Sequence, residues 1–105
     1  MTTATTENAV PTPAAPGPAG TALVIGEALV DVVIHPGAEP VDIPGGSPAN
    51  VALGLARLGR DAELDCWIAD DARGRAVRSH LVADGVRITP GSDGAERTST
   101  AQATI

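Results

Sequence analysis

Ala22-Leu23-Val24-Ile25-Gly26 is an unbroken apolar run that ends in glycine. A strand with one face in water alternates apolar and polar side chains. A strand without alternation is covered on both faces, as in a parallel sheet flanked by helices. The run therefore directs the chain toward an α/β architecture. Leu29 to Ile34 continues in the same character, interrupted only by Asp31, and Pro36-Gly37 marks a turn. Val41-Asp42-Ile43 predicts a short strand stopped by Pro44-Gly45-Gly46. A helix is predicted next, with Ser47 as N-cap, Pro48 in the first turn and Gly59 as the stop. Val51, Leu55 and Leu58 share one face of it, the expected buried stripe. Leu64 to Ala69 predicts a second buried strand. Asp70 or Asp71 then caps a helix running to Asp84, with Val77 and Leu81 inward and Gly85 ending it. Val86–Thr89 and Thr98–Ile105 complete the strands. The order β–(β)–α–β–α–β–β predicts a mainly parallel sheet with flanking helices and small extra strands.

The apolar run begins abruptly. Residues 1–20 are rich in Thr, Ala and Pro, with Pro11, Pro13, Pro16 and Pro18 alternating with small residues. Proline removes backbone donors and favours extended, solvated chain, so a disordered tail is expected there. With neither a basic n-region nor an apolar h-region, it is no secretory signal. Residues 21–105 form the candidate folded unit. Its core must come from Ala, Val, Leu and Ile, because the chain holds one Trp and no Phe or Tyr. That shortage excludes aromatic-stacking modes of RNA recognition. The formal charge of −6 argues against nucleic acid as a partner. No apolar run approaches the ~18–20 residues that span a bilayer, so no membrane partner is expected. One Cys excludes an internal disulfide framework.

Few residues could carry chemistry. Glu27 and Asp31 lie four apart in a strand-like run, which places them on one face. A carboxylate in so apolar a segment is solvated, paired or in use. Gly45-Gly46 before a capped helix lets a ligand approach the backbone near free N–H donors, which suit a phosphate or neutral hydroxyls alike. Asn50, in the first helical turn, offers both a donor and an acceptor. The bland reading of these features is a strand end open to solvent and an ordinary turn. Asp70 and Asp71 read as caps, Cys66 as a buried small hydrophobe, His35 and His80 as surface residues, and Trp67 as packing at a sheet edge. No Ser/His/Asp arrangement is present, and neither the Walker A nor the Rossmann pattern occurs.

Taken together, Gly26-Glu27-Ala28-Leu29-Val30-Asp31, Pro44-Gly45-Gly46-Ser47-Pro48-Ala49-Asn50-Val51-Ala52 and Leu58-Gly59 resemble the N-terminal region of ribokinase/PfkB-family carbohydrate kinases. Ile68-Ala69-Asp70-Asp71-Ala72-Arg73-Gly74 is similar to the family's next strand-to-helix segment, with Ala69 where Gly is usual. Arg97-Thr98-Ser99-Thr100-Ala101 resembles the following strand, and the Gly-Gly-Ser-Pro-Ala-Asn block looks like the fructokinase branch. The resemblance covers Leu23 to Ile105. It implies a ribokinase-like fold and ATP-dependent phosphorylation of a sugar hydroxyl, the sugar being fructose or a relative of it. It implies that Asp31 accepts hydrogen bonds from sugar hydroxyls, that the backbone at Gly45 and Gly46 approaches the sugar, and that Asn50 binds a further hydroxyl. Val30–Ile43 would supply part of a lid. A cytoplasmic enzyme using ATP and Mg2+ is implied, with a homodimer joined through its lid strands.

The family's catalytic Asp, its anion hole and its ATP pocket belong to a C-terminal Gly-x-Gly-Asp region, and no such segment occurs in these 105 residues. Strand character also persists to Ile105. The expectation is a truncated sugar-recognition part, inactive alone, with no catalytic residue, cofactor or metal of its own. The alternative is a non-catalytic α/β remnant or a small interaction module.

Overall fold

The computed structural model describes residues 20–105; the disordered tail expected over residues 1–20 lies outside them except for Gly20. The chain forms β1 (Ala22–Ile25), β2 (Leu29–Ile34), β3 (Val41–Gly45), α1 (Ser47–Arg57), β4 (Ala62–Asp65), α2 (Ala72–Ala83), β5 (Arg87–Ile88) and β6 (Thr100–Thr104). The strands divide between two sheets rather than one. β1, β4 and β5 make a parallel sheet in the order β1-β4-β5. β2 lies at the centre of the other, antiparallel to β3 and parallel to β6. The apolar sequence that reads almost continuously from β1 into β2 is broken at Gly26–Ala28, where the chain passes from one sheet to the other. Between the sheets and helices sits one core, built from Ala28, Val30, Leu64, Ile68, Val77, Leu81 and their neighbours.

α1 buries a different face from the expected one. Ala49, Ala52 and Leu53 are buried, with Ala56 packed beside them, whereas Val51 and Leu58 are 54% and 82% exposed. Both stripes satisfy the i, i+3, i+4, i+7 spacing, so periodicity does not choose between them. The alanines win because their short side chains let the helix lie close against β1 and β4. The N-cap is Gly46 rather than Ser47; no side-chain oxygen caps this end, and Ser47 is already helical.

β4 stops at Asp65, four residues short of the expected end. Beyond it the backbone bonds to the loop after β5: Cys66 N donates to Ser92 Oγ at 3.1 Å, Ile68 N to Ser92 O at 2.7 Å, and Ala95 N to Ile68 O at 3.1 Å. Cys66 is buried, as expected, and burial pushes its thiol above the usual range. β6 begins at Thr100 because Thr98 is drawn away into α2. Asp71 caps α2, accepting from Gly74 N at 2.7 Å, from Thr98 N at 3.0 Å and from the Thr98 hydroxyl at 2.7 Å. That hydroxyl in turn accepts from Ala69 N at 3.0 Å. Asp70 instead pairs with Arg75 at the surface. His35 and His80 are exposed.

This joint ties the start of α2 to the segment that feeds β6 into β2, and it has a pH signature. The Thr98 backbone and hydroxyl donors, with Gly74 N, hold the Asp71 carboxyl at about 2, below its ordinary value of 3.8. A folded-state pKa below the unfolded one adds stability above the unfolded value that is lost as pH falls toward the folded one. Thermal unfolding followed from pH 5 to pH 2 is therefore expected to show the melting temperature of the native chain falling below about pH 4. Asp71→Asn starts lower and flattens that part of the curve. Parallel curves for the two proteins would refute the role given to Asp71.

Candidate functional site

Two backbone turns meet where the sheets diverge. The Gly26–Ala28 link leaves β1, and Gly45-Gly46 enters α1. Gly46 has φ +100, and a Cβ there would stand 2.9 Å from Glu27 O and 3.3 Å from Ala28 Cα. A Cβ on Gly26 would strike the Pro48 ring. The glycines let the start of α1 seat directly on the link, which a side chain at either position would prevent.

Asp31 sits in the central strand of its sheet, opposite Ile43 on β3 and Ala101 on β6. Its carboxylate leans diagonally toward Gly45, into the space a Cβ at that position would fill. Asp31 takes part in none of the ion pairs among the described residues, while Asp42, Asp61, Asp70, Asp84 and Asp93 all do. Asn50 lies exposed in the first turn of α1, its backbone N donating to Gly46 O at 2.9 Å. Asp31 and Gly45 are thus in contact, Gly46 adjoins them along the turn, and Asn50 stands one helical turn above.

Glu27 does not share a strand face with Asp31 as its spacing predicts. It belongs to the link, outside both strands, and faces a cleft of about 540 Å³ at the carboxyl ends of β1 and β4. Gly26, Glu27, Ala28, Asp65, Trp67 and Ser99 line this cleft, with Gly26 N donating to Asp65 O at 3.0 Å. Trp67, expected to pack at a sheet edge, is 61% exposed here. The signal that could have singled it out is its place just past a parallel strand's carboxyl end, where ligands of such sheets bind. A wider hollow of about 1240 Å³ shares Trp67 and Ser99 with this cleft, runs along Asp71, Arg73 and residues 94–100, and touches none of Asp31, Gly45, Gly46 or Asn50.

Among the described residues no group of three or more His, Cys, Asp or Glu could hold a metal ion. No described helix is long and apolar enough to cross a membrane.

Residues 21–105 match the family described as "pfkB family carbohydrate kinase". A fructokinase of Klebsiella pneumoniae is 41% identical over 78 residues, which are 73% of this chain and 25% of that protein. The crystal structure of aminoimidazole riboside kinase from Salmonella enterica, complexed with aminoimidazole riboside and an ATP analog, superposes with a TM-score of 0.68 at 30% identity. It covers 79% of this chain and 28% of its own. Fructokinase with bound ATP from Xylella fastidiosa superposes with a TM-score of 0.66 at 27% identity, over 81% of this chain and 29% of its own. The chain spans about a quarter of the length of these relatives. With the glycine turn, the Asp31 strand and the two-sheet fold all falling inside the matched segment, this chain belongs to the pfkB family of carbohydrate kinases.

Proposed function

We propose that the chain is the sugar-recognition part of an ATP-dependent carbohydrate kinase acting on fructose or a related sugar. The observation that carries this reading is the Asp31 carboxylate resting on Gly45 without an ionic partner. Asp31 is only partly buried, so water can supply donors to its carboxylate when the site is empty, and sugar hydroxyls can take over those hydrogen bonds. A neutral polyol also fits the adjoining backbone: the Gly45-Gly46 turn is bare of side chains, and Asn50 can give or accept one further hydrogen bond. In this arrangement Asp31 orients the sugar, and Gly45 and Gly46 allow it close. The sheet of β2, β3 and β6 forms part of the cover and supplies the contact of a homodimer. The relatives support a sugar ring as the shared element, since one kind is named for fructose and another for a riboside.

Phosphoryl transfer is driven by positioning and by stabilising charge on the transferred group. Arg73, at the start of α2, is already paired with Asp42 of β3 at 2.9 Å. No step of the transfer is therefore assigned to this chain, and ATP and Mg2+ would be held by the remainder of a full-length kinase. A coupled ADP-release assay with fructose and other sugars tests the reading. The 105-residue chain alone is expected to give no turnover. Residues 21–105 joined to the remaining three quarters of the Klebsiella fructokinase are expected to turn over, and Asp31→Ala to abolish it. Turnover by the chain alone, or a joined enzyme indifferent to Asp31→Ala, overturns the proposal.

A further inference from the structure

We infer that Trp67 is the stacking wall of a neutral-sugar subsite in the cleft at the carboxyl ends of β1 and β4; the inference rests on the sugar-kinase reading and adds a residue and a charge preference to it. Trp67 is the chain's sole aromatic residue. In a core short of large side chains it would be the most valuable group to bury, yet it stays 61% exposed. Its ring is nevertheless held in place. A Cβ on Gly94 would stand 2.7 Å from Cη2 and 3.0 Å from Cζ3, so the ring's far edge lies on the Gly94 backbone. The backbone on either side is pinned by Cys66 N to Ser92 Oγ and Ile68 N to Ser92 O. An exposed ring fixed in this way is preorganised for a ligand and loses little freedom on binding.

The cleft chemistry selects the ligand. The Gly26–Ala28 link, onto which Gly46 packs, lines the same cleft as Trp67, although Asp31, Gly45, Gly46 and Asn50 do not line it themselves. Its charged lining residues are Glu27 and Asp65, with no cation among them. Asp65 already accepts from the Thr89 hydroxyl at 2.7 Å. Glu27 and the Ser99 hydroxyl are left to bind hydroxyls. A phosphorylated sugar would meet two carboxylates and no counter-charge, whereas a neutral ring can lay its C–H face on the indole and turn its hydroxyls to Glu27 and Ser99.

Because the indole is unique, selective excitation of its fluorescence reports on the two hollows that Trp67 borders, this cleft and the wider one along residues 94–100. Titration of the 105-residue chain with D-fructose is expected to give a saturable blue shift, and fructose 1-phosphate none. By calorimetry, Trp67→Ala is expected to weaken fructose binding about tenfold, a loss of ~1.4 kcal/mol, and Trp67→Phe to retain most of it. Circular dichroism of both variants verifies their fold. Fructose binding that leaves the emission unchanged and survives Trp67→Ala overturns the subsite while the sugar-kinase reading stands. Equal binding of the phosphate overturns the charge preference. Absence of calorimetric fructose binding to the native chain overturns both.

Discussion

Gly74→Ala is expected to lower the melting temperature by more than about 4 °C, although alanine is the better helix former. Propensity alone favours Ala over Gly by about 1 kcal/mol in a helix. At this position a Cβ would strike Ala69 O and stand 2.7 Å from Thr98 Oγ1 and 2.9 Å from the Ala69 carbonyl carbon. Ala69 cannot move aside easily, since its N donates to Thr98 and it bridges Ala95. Forcing a methyl into a filled site costs about 1–3 kcal/mol. Displacing the buried Thr98 hydroxyl unmakes bonds worth about 1–3 kcal/mol more in unsatisfied groups. The clash outweighs the propensity, and a domain of this size loses about 4–8 °C per kcal/mol. Gly54→Ala is the control. It lies within α1 with nothing inside 4 Å of its would-be Cβ, so there the propensity gain stands alone and the melting temperature should rise slightly. Thermal unfolding by circular dichroism decides both. A Gly74→Ala protein as stable as the native chain would mean that the joint between α2 and the strand feeding β6 yields freely.

The contrast between these two helical glycines marks what a sequence reading reaches. Both look like ordinary weak points in a helix, and only the neighbour across space separates them. Local chemistry was legible. The start of α1 at the glycine turn, Asp71 as a cap, Val77 and Leu81 inward and Cys66 buried all follow from short-range rules and are found in the fold. β1 forms where its apolar run predicts, but the cover expected on both faces is found on one only: Leu23 and Ile25 stand 55% and 70% exposed. The resemblance carried by the Gly45–Asn50 block is borne out by the family match over residues 21–105. Nonlocal choices were not legible. Two stripes of α1 have equal periodicity, and the sheet selected the alanines. The run from Ala22 to Ile34 conceals a change of sheet, which detached Glu27 from Asp31. β4 ended early because Ser92, a distant residue, offered better partners to Cys66 and Ile68. Trp67 read as packing because nothing in its immediate sequence says that Gly94 will lie beneath its ring.

Asp31→Asn, made in the joined enzyme of residues 21–105 and the remaining three quarters of the Klebsiella fructokinase, is expected to raise the KM for sugar about tenfold or more. A carboxylate can accept from two hydroxyls at once, and hydrogen bonds to a charged group contribute about 1.5–3 kcal/mol each. Asparagine keeps the shape but turns one acceptor into a donor, so one sugar hydroxyl meets a mismatched partner. Since ~1.4 kcal/mol is a factor of ten, even the lower bound gives the stated change. The KM for ATP should stay near its original value, because Asp31 serves the sugar alone in the proposed arrangement. Asn50→Ala should act in the same direction but more weakly, having removed a neutral contact. The melting temperature separates recognition from structure. Asp31 joins no ion pair among the described residues, so Asn in its place leaves β2 paired to β3 and β6 and the unfolding curve nearly unmoved. A carboxylate that instead held the two turns together would show the reverse, a lower melting temperature with sugar KM unchanged. Steady-state kinetics and thermal unfolding on the same Asp31→Asn protein distinguish the two, and an unchanged sugar KM removes Asp31 from the sugar site.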